Sequence, residues 1–202
     1  MQLNAVEKLM MNNPVRAIVQ RHFEASRLLA MGGRIPGGHA LEIGCGRGVG
    51  TEIILDRFGA DRVDAFDLDP HMVELARARL ARHGDRVRVF VGDAAHIAAP
   101  DASYDAVFDF GIVHHVPEWR DAVREIHRVL APGGRLYAEE VLARFIHHPV
   151  WRRLLDHPMH DRFDAHGFRE GLEATGFTVR AQRELFGQFA WFVADKAGER
   201  PG

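Results

Sequence analysis

The chain is poor in the features that would simplify its assignment. Cys45 is its only cysteine, so a disulfide framework and a thiolate metal cluster are excluded. Neither charge sign dominates: Lys+Arg 26 against Asp+Glu 28 leaves a net charge of −2. That balance argues against a nucleic-acid binder working through bulk electrostatics, although a local basic patch stays open. No apolar run reaches the roughly 18 residues of a membrane span. The N-terminus has no apolar block followed by a small-residue cleavage site, so a cytoplasmic protein is expected. Histidine is plentiful, thirteen in all, but His114–His115 and His147–His148 are adjacent pairs rather than the i, i+4 spacing of a helical metal site. No metal is expected. The 202 residues suit one domain, large enough to bury roughly 70% of the unfolded surface.

What the chain does have is a stretch from Ala40 to Thr51, A-L-E-I-G-C-G-R-G-V-G-T. An apolar run (Ala40, Leu41, Ile43) stops at Gly44, Gly46 and Gly48, and a helical pattern over Val49 to Phe58 follows. Strand, glycine turn and helix can hold the polar part of a nucleotide-like cofactor. A Cβ would block both the left-handed turn and the approach of a ligand to backbone N–H groups, and the helix dipole points at the turn. A strand over Val63 to Phe66 then runs into Asp67-Leu68-Asp69-Pro70. Asp67 lies 23 residues beyond Gly44, the distance at which a second strand returns beside the first. A carboxylate there can accept both hydroxyls of a ribose. Helix capping, the alternative, suits Asp69 better, because Pro70 follows it.

The alternation continues. Met72, Leu75, Ala76 and Leu80 stripe a helix, and Arg86 to Val91 alternates as a third strand ending in Gly92-Asp93-Ala94. Asp93 either accepts an adenine amine, beside the Ala94 N–H, or closes an ordinary Asx turn. Tyr104 to Phe110 reads as a buried central strand, followed by Gly111-Ile112-Val113-His114-His115. Trp119, Val123, Ile126 and Leu130 mark a helix face, Pro132-Gly133-Gly134 a turn, and Arg135 to Val141 a fifth strand. Upstream, residues 1–38 show two short amphipathic helices, the second opened by Asn13-Pro14 and ending at Gly32-Gly33. Arg16, Arg21 and Arg27 beside it admit a membrane-surface role, but a helical lid over a cofactor domain at 39–202 is the expectation preferred. Downstream, Ile146 to His160 has no single period, Arg162 to Thr175 reads as a helix capped by Asp164 or Asp161, and Thr178–Phe186 with Phe189–Asp195 forms a final hairpin. Residues from Glu199 look frayed.

Taken in order, Ala40–Thr51, Val63–Met72, Gly92–Ala94, Tyr104–Phe108 and Arg128–Gly134 resemble the motifs of class I S-adenosylmethionine-dependent methyltransferases, in particular the small-molecule, methyltransferase-11-like and ubiquinone-type branch. The resemblance covers about half the chain. It implies an α/β fold: a Rossmann-like seven-stranded sheet, mostly parallel with an antiparallel last strand, helices on both faces and the N-terminal helical lid. It implies methyl transfer from S-adenosylmethionine to a small-molecule acceptor by in-line displacement, with S-adenosylhomocysteine as product. Gly44, Cys45 and Gly46 would bind the methionyl part, and Glu42 would order the loop and the amino group. Asp67 and Leu68 would hold ribose and adenine, Asp93 and Ala94 the adenine edge, and the backbone at Asp109 and Phe110 the amino group. Arg47 stands where relatives often carry Thr or Ser, and is expected to point at the carboxylate or away. His114 is the expected base where an acceptor must lose a proton, since an imidazole titrates near neutrality; burial under the sheet edge is its other reading.

Three other functions compete. A nicotinamide-dependent dehydrogenase wants Gly or Ala where Val49 stands. A nucleic-acid adenine methyltransferase wants an Asn/Asp-Pro-Pro-aromatic motif where Asp109-Phe110-Gly111-Ile112 stands. A catalytically idle cofactor-binding protein has no support from the side chains present. The acceptor, the oligomeric state and the atom methylated are not legible, and no stable membrane insertion or nucleic-acid partner is expected.

Overall fold

The computed structural model describes residues 14–147 and 161–198. The expected helix around Leu3 to Met10, most of the Ile146–His160 segment and the tail from Glu199 lie outside them. The chain alternates strand and helix as follows: α1 (Pro14–Val19), a π turn (Gln20–Glu24), α2 (Ala25–Gly32), β1 (His39–Ile43), α3 (Val49–Ile53) continued by a π turn (Ile54–Phe58), and β2 (Arg62–Asp67). Then come α4 (Pro70–Leu80), β3 (Val87–Val91), β4 (Tyr104–Phe110), a 3₁₀ turn (Val113–His115), α5 (Trp119–Val129) and β5 (Leu130–Val141). The end is α6 (Ala143–Ile146), α7 (Ala165–Ala174), β6 (Phe177–Leu185) and β7 (Phe189–Lys196).

The seven strands form one sheet in the order β3-β2-β1-β4-β5-β7-β6. β1 to β5 pair in parallel, and β7 runs antiparallel to both of its neighbours. This is the mostly parallel Rossmann-like sheet expected. The direction of winding reverses between β1 and β4, the switch point where an open α/β sheet leaves a crevice at its strand ends.

Burial on both faces explains the near-continuous apolar strands. On one face Leu41, Val107 and Leu136 meet Trp119, Val123 and Ile126 of α5 and Phe168 and Leu172 of α7. On the other, Ala40, Phe108 and Tyr137 meet Ala25 and Leu28 of α2 and Ile53 of α3. Val73, Ala76 and Leu80 of α4 add a third cluster over Ala65 and Val89. Each fully buried aliphatic side chain contributes roughly 1.5–3 kcal/mol. Asp69 caps α4 by accepting the His71 N–H at 2.9 Å with Pro70 behind it, and Asp164 caps α7 through the Gly167 N–H at 2.7 Å.

One boundary differs clearly from the sequence reading, and one helix keeps its expected ends but changes character inside. β5 begins at Leu130, not Arg135, because Leu130 already pairs with Tyr104 before Pro132-Gly133-Gly134 shifts the register. The helix before β1 runs from Pro14 to Gly32 through a π turn that spacing alone does not mark. Its last turn lies against the sheet: a Cβ on Gly32 would stand 2.4 Å from Tyr137 Cε1, and the Tyr137 hydroxyl donates to the Gly32 carbonyl at 3.0 Å. No helix among the described residues is long and apolar enough to cross a membrane.

Candidate active site

The C-terminal ends of β1, β2, β3 and β4 enclose a cavity of about 340 Å³, within the range of small-ligand sites. Its floor is the glycine turn after β1. Gly44, Gly46 and Gly48 have φ of +63°, +50° and +81°, a region that L side chains rarely adopt. They do different work. A Cβ on Gly44 would strike Ile112 Cγ1 at 2.2 Å, so this glycine lets the loop after β4 close on the turn. Around Gly46 nothing lies within 4 Å of where a Cβ would be, and Gly46 lines the cavity. The turn is fixed from below by Cys45 N–H on the Phe66 carbonyl and by Gly48 N–H on the Cys45 carbonyl, each at 2.8 Å.

Asp67 ends β2 facing that turn. Its Oδ2 accepts the Gly46 N–H and its Oδ1 the Asp69 N–H, both at 2.9 Å, leaving each oxygen with further acceptor capacity. Burial pushes its carboxyl above the ordinary carboxylate range, against the pull of those two N–H bonds. Glu42 is buried on β1 under the turn, takes the Thr51 hydroxyl, and is pushed up to about 8 by desolvation. Burial likewise raises the Cys45 thiol far above its usual value, which makes it an inert apolar filler rather than a nucleophile.

Nine of the residues expected to touch a cofactor line this one cavity: Glu42, Gly44, Cys45, Gly46, Asp67, Leu68, Asp93, Ala94 and Phe110. Asp93 is exposed and also accepts the Ala95 N–H at 2.9 Å, so the Asx-type turn and the cavity position coexist. Two expected residues do not line it. Asp109 is fully buried, its Oδ1 accepting the Ile112 N–H at 2.8 Å, and burial and then the nearby Glu140 charge raise its carboxyl well above the ordinary range. His114 is buried with Nδ1 2.6 Å from Glu140 Oε2. Its neighbour His115 stands on the cavity wall instead. In a 3₁₀ turn successive side chains point about 120° apart, so one histidine can face inward and the next outward.

Two further groups of residues, unmarked by any motif, also reach the cavity. Arg16, Ala17 and Gln20 of the N-terminal helix line the cavity, as do Val116, Pro117 and Glu118 beyond the 3₁₀ turn. Arg16 pairs with the buried Glu24 and approaches Glu139 of β5 at 4.0 Å. The expectation of a lid over the cofactor domain does not name these residues. Among the described residues no group of three or more His, Cys, Asp or Glu could hold a metal ion.

The cavity suits an adenosine-bearing amino acid. The space over Gly46 admits a ligand where any other residue would fill it, Asp67 offers acceptors for vicinal hydroxyls, and Glu42 and Phe110 close the inner end.

Comparison with known proteins agrees with the geometry. Residues 40–134 match a family model described as a methyltransferase domain. A malonyl-[acyl-carrier protein] O-methyltransferase of Serratia marcescens is 37% identical over 108 residues, 54% of this chain and 40% of that protein. A ubiquinone biosynthesis O-methyltransferase of Xanthomonas axonopodis pv. citri is 35% identical over 126 residues, 62% of this chain and 48% of that protein. The chain thus spans less than half the length of these two curated relatives. The structure of a putative methyltransferase in complex with the Haloferax volcanii Trm112 methyltransferase activator superposes with a TM-score of 0.80 at 20% identity, covering 98% of this chain and 100% of that one, which is a likeness of fold. The similarity thus lies between residues 40–134 and methyltransferase domains, within a fold that solved methyltransferases share.

Proposed function

We propose that the chain binds S-adenosylmethionine in this cavity and transfers its methyl group to a small-molecule acceptor. The observation that carries the reading is the open space over Gly46 opposite the Asp67 carboxylate. Gly44, Cys45 and Gly46 receive the methionyl part, and Glu42, with the backbone at Phe110, orients its amino group. Asp67 takes the ribose hydroxyls, and Leu68, Asp93 and Ala94 border the adenine. When bound, the cofactor supplies an electrophilic methyl group on a sulfonium that leaves as a neutral thioether.

The chain's own contribution is alignment and exclusion of water. Ile112 shuts the turn from above, and Arg16, Ala17 and Gln20 close one side. In this reading residues 1–38 act as a helical lid on a catalytic domain at 39–202. Where the acceptor is a hydroxyl or amine, a proton must leave as the new bond forms, and the base is assigned to the His114–His115 pair. Nδ1 of His114 lies 2.6 Å from Glu140 Oε2, a contact that holds that ring in place. Relatives named for malonyl-[acyl-carrier protein] and for ubiquinone biosynthesis differ in acceptor, so the acceptor is left to be found by assay, and a cytoplasmic setting is part of the proposal.

The test is release of S-adenosylhomocysteine from S-adenosylmethionine over a panel of phenols, amines and carboxylic acids. At least one acceptor should raise release tenfold above the acceptor-free blank. Asp67→Ala should remove most of that gain through lost donor affinity. Blank-level release across the panel by protein that binds the donor would leave an idle binding protein as the correct description.

A further inference from the structure

The turn that leaves β4 is gripped from two sides. From β5, Glu140, which has no exposed surface, accepts the Val113 N–H through Oε1 at 2.9 Å. Its Oε2 accepts the His114 N–H at 3.1 Å and lies 2.6 Å from His114 Nδ1. From the stretch before α7, Arg162 donates through Nη1 to the His114 carbonyl at 2.5 Å. Through Nη2 it reaches the Pro117 carbonyl at 3.1 Å and the Val116 carbonyl at 3.3 Å. An anion therefore meets the N–H groups of the turn and a cation its carbonyls, the arrangement that the turn's own dipoles favour.

This grip decides which histidine meets the cavity. Drawing His114 back against Glu140 rotates His115 to the wall, with the two rings tilted at a centroid distance of 4.2 Å. We infer that Glu140 and Arg162 are positioning residues whose joint hold on the Val113–Pro117 turn makes His115 the histidine that faces the bound donor and acceptor. The inference rests on the donor-binding reading above. Burial pushes the Glu140 carboxyl up to about 7, so its charge is expensive to keep at this place. Gln would fill the same space at a lower desolvation cost, but only one of its two terminal atoms accepts. It could not serve both Val113 and His114.

The test follows His115 by NMR in the full chain labelled at histidine Cε1, its signal assigned by loss in His115→Gln. Each protein is titrated with pH while saturated with S-adenosylmethionine and, separately, with S-adenosylhomocysteine. His114 at 4.2 Å with Glu140 behind it, and Arg16, Glu42, Arg47, Asp67, Asp69, Arg79, Asp93 and Glu118 around the cavity, are present in both complexes, so the difference between them reads the sulfonium charge. In wild type His115 should titrate lower with the methylated donor by about half a unit or more. That difference should vanish in Glu140→Gln and shrink in Arg162→Lys, while calorimetric affinity for S-adenosylhomocysteine changes by less than about threefold. Should Glu140→Gln fail to fold, Arg162→Lys carries the test. An undiminished His115 difference in the folded variants, or a response confined to His114, overturns the clamp alone. Absence of donor binding to wild type overturns the donor reading and this inference with it, and calorimetry tells the two failures apart.

Discussion

Glu42 shows most plainly how a cavity is lined at the expense of stability. It sits 2% exposed beneath the glycine turn, and burial raises it from 4.5 to about 8. Because the native state then binds the proton more tightly than the unfolded chain, the native form holds more protons between those two values. Stability contributed by protonated Glu42 is complete below about 4.5 and is lost as pH rises through about 8. Glu42→Gln keeps an acceptor for the Thr51 hydroxyl and removes the charge. Its melting temperature should exceed that of wild type by a margin that grows from pH 4.5 to pH 8 and reaches several degrees. A margin independent of pH would contradict the assignment of that burial cost to Glu42. Asp64, at the opposite edge, shows the reverse case. Bonds from Tyr104 at 2.9 Å and Arg88 at 2.5 Å, with His39 at 3.6 Å, hold its carboxyl below the ordinary range despite the burial that opposes them. It is a structural ion cluster remote from the cavity.

Among the elements, the glycine turn separates two effects that sequence cannot. Gly44→Ala must put a methyl group 2.2 Å from Ile112 Cγ1 at φ +63°, so both stability and donor affinity should fall, stability by about 2 kcal/mol or more. Gly46→Ala meets only the backbone strain of φ +50°, about 1 kcal/mol. It should stay folded yet bind S-adenosylhomocysteine at least tenfold more weakly. Thermal melts and calorimetry on the pair check this, and equal behaviour of the two variants would count against the assigned cradle. The sequence reading reached the strand–turn–helix units because apolar runs buried on both faces and helix caps such as Asp69-Pro70 are local signals. It placed the start of β5 late because the pairing of Leu130 with Tyr104 is a contact between distant residues. His114 and His115, two neighbours of one type, look alike in sequence until a turn geometry separates them. Glu140 and Arg162, which impose that geometry, lie 26 and 48 residues away from His114.

At the scale of the molecule, the cavity owes its place to strand order. Reversal of winding between β1 and β4 opens the sheet edge at one point, and the residues that line the opening come from positions 16 to 118. The later part of the chain contributes rigidity: β7 inserts between β5 and the edge strand β6, and Arg162 and Glu140 hold the turn at the cavity's wall from behind. This opening is proposed to take a sulfur-bearing adenosine donor. Titration calorimetry of the full chain with S-adenosylhomocysteine and NAD in parallel, repeated on Asp67→Ala, tests that directly. S-adenosylhomocysteine should bind at one site in the micromolar range, about −8 kcal/mol, with at least tenfold loss in Asp67→Ala and no heat with NAD. Binding of NAD alone, or of S-adenosylhomocysteine undiminished by Asp67→Ala, would contradict that proposal.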